Sequence, residues 1–232
     1  ILIYNWDVPI TAPKLGELQA KGVKIIYVID DSFEVSEGNL DYLESYRREY
    51  VKNRVKQHML IANAVITSNG ALTLQAMQYS DNIAVIPNFL DPEDFKSTKE
   101  VSNKLRVGIF SNASHIENTL TLKGAINSIS KNKDLCSKIE FVLCGNDGQE
   151  GWKEIIEMFS KKKNIAYTVK DYKPIEEYFD LYSNLDVALL PLLGTEFNAC
   201  RSALKLNECA IANILPVGSA LYTMKELNSL VV

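Results

Sequence analysis

The sequence predicts an α/β protein: two parallel sheets flanked by helices, the first present only in its C-terminal part. Three observations predict it. Short β-branched runs alternate with longer helix-patterned stretches along the chain. The alternation breaks at Pro87-Asn88-Phe89-Leu90-Asp91-Pro92 and then restarts. The run Val187-Ala188-Leu189-Leu190 is apolar throughout, as a strand covered on both faces requires. Alternation of this kind gives parallel strands joined by helical crossovers.

The elements follow in order. Val23–Ile29 reads as a strand ending at Asp30-Asp31, followed by a helix over Tyr42–Leu60. Ala64–Thr67 is a strand, Ser68-Asn69 a helix cap, Ala71–Tyr79 a helix and Ile83–Ile86 a strand. Two prolines and a polar stretch up to Lys104 read as a linker. Beyond it, Leu105–Phe110 is a strand, Thr119–Ser130 a helix and Ile139–Cys144 a strand. Then come a helix at Gly151–Phe159, a strand at Ile165–Val169, a helix at Ile175–Ser183 and the apolar strand Val187–Leu190. A helix over Ala199–Ala212 and a strand from Leu215 close the pattern. The organisation is therefore 1–88 for the first domain, 89–104 for the linker and 105–232 for the second. Ligands on open parallel sheets sit beyond the strand C-termini. The candidate loops are Asp30-Asp31, Ser68-Asn69, Ser111–His115, Gly145–Gly148 and Leu193–Ser202.

Composition narrows the class. A net charge of -4, with both signs mixed along the chain, argues against a nucleic-acid partner. Cys136, Cys144, Cys200 and Cys209 form no C-x-x-C pair and have no histidines at zinc spacing, so they read as free buried thiols in a reducing cytoplasm. The Ile1–Ile3 run is too short for a signal segment, and no apolar stretch is long enough to span a membrane. The chain does not begin with Met and stops at Val232, which reads as a piece of a longer protein.

Phe197–Glu208 is the segment richest in chemistry. Asn198 reads as the N-cap of the helix that follows. Arg201, Lys205 and Glu208 then share one face at i, i+4 and i+7, with Ala199, Ala203, Leu206 and Ala210 opposite. Cations early in a helix oppose its dipole, and a bound anion would offset that cost. A nucleoside diphosphate fits: the cations attract its phosphates, and a carboxylate two turns on accepts from two ribose hydroxyls. Spacing alone leaves open an amphipathic surface helix with an i,i+3 Lys–Glu pair.

These residues carry a resemblance. Phe197–Glu208 is similar to the Phe-Asn…Lys-Ser…Lys…Glu signature of bacterial family 4-like glycosyltransferases of GT-B fold. Asp186–Leu192 and Ile214–Ser219 resemble the strands on either side of it, and Ala62–Asn69 the strand closing the N-terminal domain. Ile86-Pro87-Asn88 with Phe95 resembles the inter-domain linker, and Tyr27–Phe33 an acidic turn of the same group. The match runs in family order from about residue 20 to residue 219. It implies two Rossmann-like domains with a cleft between them. The implied reaction is retaining, metal-independent transfer of a sugar from a nucleotide-sugar to an acceptor hydroxyl in cell-surface glycan synthesis. No cofactor is implied. Glu208 would hold the ribose, Lys205 and Arg201 would neutralise the diphosphate, and Ser202 would cap a phosphate oxygen. The acceptor would be a glycan or lipid-linked glycan, reached from the cytoplasm or the inner membrane face. Cys200 stands eight residues before Glu208, where these enzymes carry a second glutamate. That departure favours a non-catalytic GT-B subunit that binds glycans or scaffolds a partner. A nucleotide-sugar epimerase is a further alternative.

Other candidates are weaker. His115, Ser111 and Asn112 follow a strand and can bond a donor phosphate or sugar; a loop histidine without a ligand is the alternative. Gly145 lets the backbone approach a ligand, but Gly145-Asn146-Asp147-Gly148 lacks the dinucleotide fingerprint. Tyr172 can border a base or simply pack. Asp30-Asp31 can hold a metal; capping and inter-domain hydrogen bonding are preferred. Arg47, Arg48, Lys52, Arg54 and Lys56, with Tyr42, Tyr46 and Tyr50, can dock on anionic lipid, though a solvated helix face is preferred.

Overall fold

β-branched, apolar segments become strands in two separate sheets. The structure, a computed structural model, describes residues 1–5, 10–34, 49–95, 99–112 and 116–221. The chain divides into two compact units, Ile1–Phe89 with Gly194–Ala203 and Leu90–Leu193 with Leu204–Ala220. Residues 194–203 thus belong to the first unit rather than the second.

In the first unit, β1 (Leu2–Asn5), β2 (Ile25–Ile29), β3 (Ala64–Thr67) and β4 (Ile83–Val85) lie side by side in chain order, all parallel. Crossovers carry α1 (Ala12–Ala20), α2 (Glu49–Ile61) and α3 (Gly70–Ala76). Helix α2 buries Val51, Val55, His58 and Met59, the i, i+4, i+7, i+8 stripe of an amphipathic helix. Val55 and Met59 join Tyr4, Leu15, Ile25 and Tyr27 in the core, and the His58 ring meets Tyr4 and Tyr27 edge-on. Asn69 caps α3 by accepting from Leu72 N–H at 3.0 Å. The sequence reading passed over β1 and α1. The first is four residues long, and the second carries Pro13 and Gly16, both poor helix signals.

The second unit holds β5 (Leu105–Phe110), β6 (Ile139–Asn146), β7 (Ala166–Asp171), β8 (Val187–Leu190) and β9 (Leu215–Gly218). Their order is β7-β6-β5-β8-β9, all parallel. The chain walks outward from β5 to β7, then returns to the other side of β5 with β8, so its direction of winding reverses there. Between the strands run α4 (Ile116–Leu120), α5 (Lys123–Ser130), α6 (Lys133–Lys138), α7 (Glu150–Ser160) and a 3-10 helix, Ile175–Tyr182. Ile109, Leu143, Trp152, Ile155 and Phe159 are fully buried.

Two predicted helices are broken. Thr119–Ser130 splits into α4 and α5, because the Thr121 hydroxyl donates to the Asn118 carbonyl at 2.6 Å and competes with the helical bond. Ala199–Ala212 splits into α8 (Glu196–Ala199) and α9 (Leu204–Ile211). The N-cap is Thr195, whose hydroxyl accepts from Asn198 N–H at 3.2 Å; Asn198 lies inside α8. The Cys200 carbonyl, which a continuous helix would pair with the amide four residues on, accepts from Asn69 Nδ2 at 2.7 Å instead. Arg201 is therefore not on a helical face with Lys205 and Glu208. Ala210 is exposed, and α9 packs through Leu206, Glu208 and Cys209.

Candidate functional site

The second sheet's strand ends build a crevice of about 160 Å³ lined by Phe110, Ser111, Asn112, Cys144, Gly145, Tyr172, Tyr178, Leu181 and Lys205. Phe110 to Asn112 leave β5, Cys144 and Gly145 close β6, and Tyr172 follows β7. Lys205 comes from α9, which follows β8. The crevice thus sits at the C-terminal end of β5, where the winding reverses, the place open parallel sheets offer a ligand. Gly145 makes this geometry possible. Its φ is +98°, and a Cβ there would stand 2.7 Å from the Ser111 carbonyl oxygen. Ser111 is held by its amide on the Cys144 carbonyl at 3.1 Å and by the Thr119 hydroxyl donating to its Oγ at 3.1 Å. Tyr172 donates its amide to the Asn146 carbonyl at 2.8 Å and leaves its ring 65% exposed at the rim.

Two of the lining residues, Tyr178 and Lys205, belong to a charged cluster. Glu208 is 3% exposed. Its Oε2 accepts from Tyr178 at 3.2 Å and from Tyr182, and stands 2.9 Å from Lys205 Nζ. Lys205 donates to Tyr182 Oη at 3.1 Å and to Tyr178 Oη. Its ammonium also lies 4.7, 5.1 and 5.6 Å from the ring centroids of Tyr178, Phe110 and Tyr182, within cation–π range. Burial, and then the Glu208 carboxylate, push the Tyr182 phenol far above its ordinary range, so it stays a donor. Tyr182 stacks on Phe110 at 4.4 Å, and Phe179 packs on Phe95 at 3.9 Å. Lys170 holds the end of the 3-10 helix that carries both tyrosines by donating to the Asp180, Leu181 and Ser183 carbonyls at 3.3, 3.2 and 3.0 Å. Tyr178 and Tyr182 were missed by the sequence reading. The signal was present, two tyrosines at i, i+4 in Ile175–Ser183, but it reads equally as a packing pair.

The other expected residues are placed elsewhere. Arg201 belongs to the first unit, with Nη1 3.7 Å from Asp31 Oδ1 and its guanidinium 4.8 Å from the Phe197 ring centroid. Ser202 Oγ accepts from Asn88 Nδ2 at 3.1 Å, also within the first unit. Asn198 is buried. Burial raises the Asp31 carboxyl above its usual range, Arg201 pulls it back, and neighbouring Asp30 adds to the rise. His115, with Ala113 and Ser114, lies outside the described residues, as do Tyr42, Tyr46, Arg47 and Arg48. Of the basic helix, Lys52 and Lys56 pair with Glu34 at 3.7 and 3.0 Å, and Tyr50 is exposed. The four cysteines are buried and unbridged. Burial pushes the Cys144 and Cys209 thiols up to about 12 and Cys200 to about 11, so they are inert as nucleophiles. Among the described residues, no helix is long and apolar enough to cross a membrane.

No family model matches the chain, and no curated protein does. Solved structures do. TarM superposes over 92% of this chain and 40% of its own, with a TM-score of 0.65 and 16% identity. OtsA matches over 95% and 59%, with a TM-score of 0.64 and 12% identity. WaaG, a glycosyltransferase involved in lipopolysaccharide biosynthesis, matches over 92% and 64%, with a TM-score of 0.58 and 9% identity. The fold is of GT-B type. The two parallel sheets flanked by helices are those of these glycosyltransferases, and the chain spans between 40% and 64% of their lengths. A TarM variant from S. aureus has been solved in complex with UDP and alpha-GlcNAc-glycerol.

Proposed function

We propose that this chain is the donor-binding part of a family 4-like glycosyltransferase, which moves a sugar from a nucleotide-sugar to the hydroxyl of a glycan or lipid-linked acceptor. The observation that carries the reading is the crevice at the C-terminal end of β5. It combines a hydroxyl and an amide side chain (Ser111, Asn112), an approachable backbone (Gly145), an exposed ring at the rim (Tyr172) and an ammonium (Lys205). Phosphates suit Lys205, a base suits the Tyr172 face, and a sugar suits the small polar side chains. In this reading configuration is retained, and the departing diphosphate takes the acceptor's proton. Lys205 stabilises the charge that develops on the leaving phosphates, so the step needs no metal. The reading places the product in cell-surface glycan synthesis, with the acceptor met at the inner membrane face.

A thermal-shift screen with UDP, GDP, ADP, CMP and their sugars tests it. A ligand present at about 100 times its Kd stabilises by ~2.7 kcal/mol, enough to move a melting curve. A shift with one nucleotide and its sugar supports the reading; no shift with any of them sinks it. A second reading, a non-catalytic subunit of the same fold, is favoured by Cys200. The position that the related enzymes fill with a carboxylate is here a thiol that is 3% exposed. Sugar release from a bound nucleotide-sugar in the presence of acceptor separates the two readings.

A further inference from the structure

From β7, at the edge of its sheet, the chain must pass β6 and β5 to reach β8. The 3-10 helix Ile175–Tyr182 lies on that crossing and carries Tyr178 and Leu181 into the crevice wall. Runs of 3-10 helix longer than three or four residues are uncommon, because their hydrogen bonds are poorly aligned. This one has eight residues and no side chain capping its N-terminus. It needs support from outside, and Lys170 supplies it. The lysine is partly buried in β7, and its ammonium gathers the Asp180, Leu181 and Ser183 carbonyls. Burial lowers its pKa from the ordinary value, with Arg106 adding to the fall and Asp180 opposing it. Desolvating an ammonium is unfavourable, and three bonds to carbonyl dipoles offset the penalty. A lysine in the helix's own last turn would cap such carbonyls from solvent. Lys170 comes from a neighbouring strand, so it joins two elements instead of finishing one.

Both joined elements reach the crevice. Tyr172, two residues beyond Lys170, stands at its rim and donates its amide to the Asn146 carbonyl. Tyr178 and Tyr182 meet the Lys205 ammonium from the helix. The Leu181 carbonyl is shared: Cys144, a lining residue of β6, donates its thiol to it at 3.6 Å. We infer that Lys170 is a positioning residue, which clamps the 3-10 helix to β7 and so fixes the wall that carries Tyr178 and Leu181 against a nucleotide in the crevice. The inference rests on the reading of the crevice as a nucleotide site. Lys170 does not itself line the crevice, so it acts on a ligand only through the helix.

Hydrogen exchange and titration calorimetry test it on the whole chain, with UDP or whichever nucleotide the thermal screen selects. In Lys170→Met, the amides of residues 176–185 should exchange about tenfold faster, while those of β5 and β6 keep their rates. Nucleotide affinity should fall about tenfold, and Lys170→Arg, which keeps the charge and the donors, should lose less. A double-mutant cycle separates a clamp from a general loss of stability. Tyr178 is on the clamped helix, so adding Tyr178→Phe to Lys170→Met should weaken binding by less than the two single losses combined. Ser111 is on the loop after β5, so adding Ser111→Ala should show its full single effect. The inference is overturned if Lys170→Met binds as the wild type does, or if its loss simply adds to that of Tyr178→Phe. It is overturned equally if exchange quickens across the whole second unit, the mark of a merely structural lysine. Should Lys170→Met fail to fold, Lys170→Gln, which keeps donors without the charge, carries the same measurements. A wild-type chain that binds no nucleotide sinks the proposed function, and the exchange pattern then decides the clamp by itself.

Discussion

Arg201 and Lys205 stand four positions apart, yet each cation is neutralised within a different unit. Arg201 faces Asp31 and the ring of Phe197 in the first unit. Lys205 faces Glu208 and three rings in the second. A spacing of four gives one helical face only while the backbone stays helical. Between the two residues it does not, because Asn69 takes the Cys200 carbonyl. The difference teaches that a charge pattern identifies a ligand site only when the backbone hydrogen bonds beneath it are accounted for.

The sharpest way to break this comparison is to remove the two cations separately. Lys205→Ala should weaken nucleotide binding about 10- to 100-fold, the scale of a lost bond to an ionised group, and lower turnover by at least that factor. Calorimetry and product assays read the two effects. Unchanged affinity in Lys205→Ala would remove the second unit's claim to the ligand.

Gly145→Ala comes next and tests the crevice without touching charge. The residue's φ is +98°, and the added Cβ would meet the Ser111 carbonyl at 2.7 Å. A strained left-handed residue costs on the order of 1–3 kcal/mol, so denaturant unfolding should show a loss of that size, with weaker nucleotide binding beside it. Wild-type stability in Gly145→Ala would mean that the turn is not held as described.

Much of this was legible in the sequence, and the failures share a cause. Leu105–Phe110, Ala64–Thr67 and Val187–Leu190 were placed to the residue because a buried parallel strand is a bare apolar run with little else to compete. Ser111, Asn112, Gly145 and Tyr172 were legible as loop residues after strands, which is where the crevice formed. Thr119–Ser130 and Ala199–Ala212 failed because side chains captured backbone carbonyls, Thr121 in one and the distant Asn69 in the other. A contact across 131 residues leaves no trace in local periodicity. Tyr178 and Tyr182 were visible, but only tertiary structure gives their hydroxyls a carboxylate to meet.

The first unit has its own titration. His58 is 1% exposed on the buried face of α2, and burial, then Arg54, hold its pKa below the ordinary 6.5 while the Ile10 backbone pulls the other way. The unfolded chain therefore binds this proton more readily than the folded one, and stability rises with pH across the window. The contribution is fully present above 6.5 and lost as pH falls through the range beneath it. Thermal melts between about pH 7.5 and 5 should fall on the acid side, and His58→Phe should flatten that slope. An unchanged slope in His58→Phe would assign the acid sensitivity to other groups.

The smallest effect on the ligand belongs to Arg201. If the two cations work in separate units, Arg201→Ala should leave nucleotide affinity within about twofold of wild type, a change of less than ~0.5 kcal/mol. It should still lower the melting temperature, because it leaves Asp31 without its partner in a site where burial already raises that carboxyl. Asp31→Asn in the same background should restore part of the loss by removing the stranded charge. A tenfold drop in nucleotide affinity for Arg201→Ala would instead return this residue to the phosphate-binding role that its spacing first suggested, and would require the ligand to draw it away from Asp31.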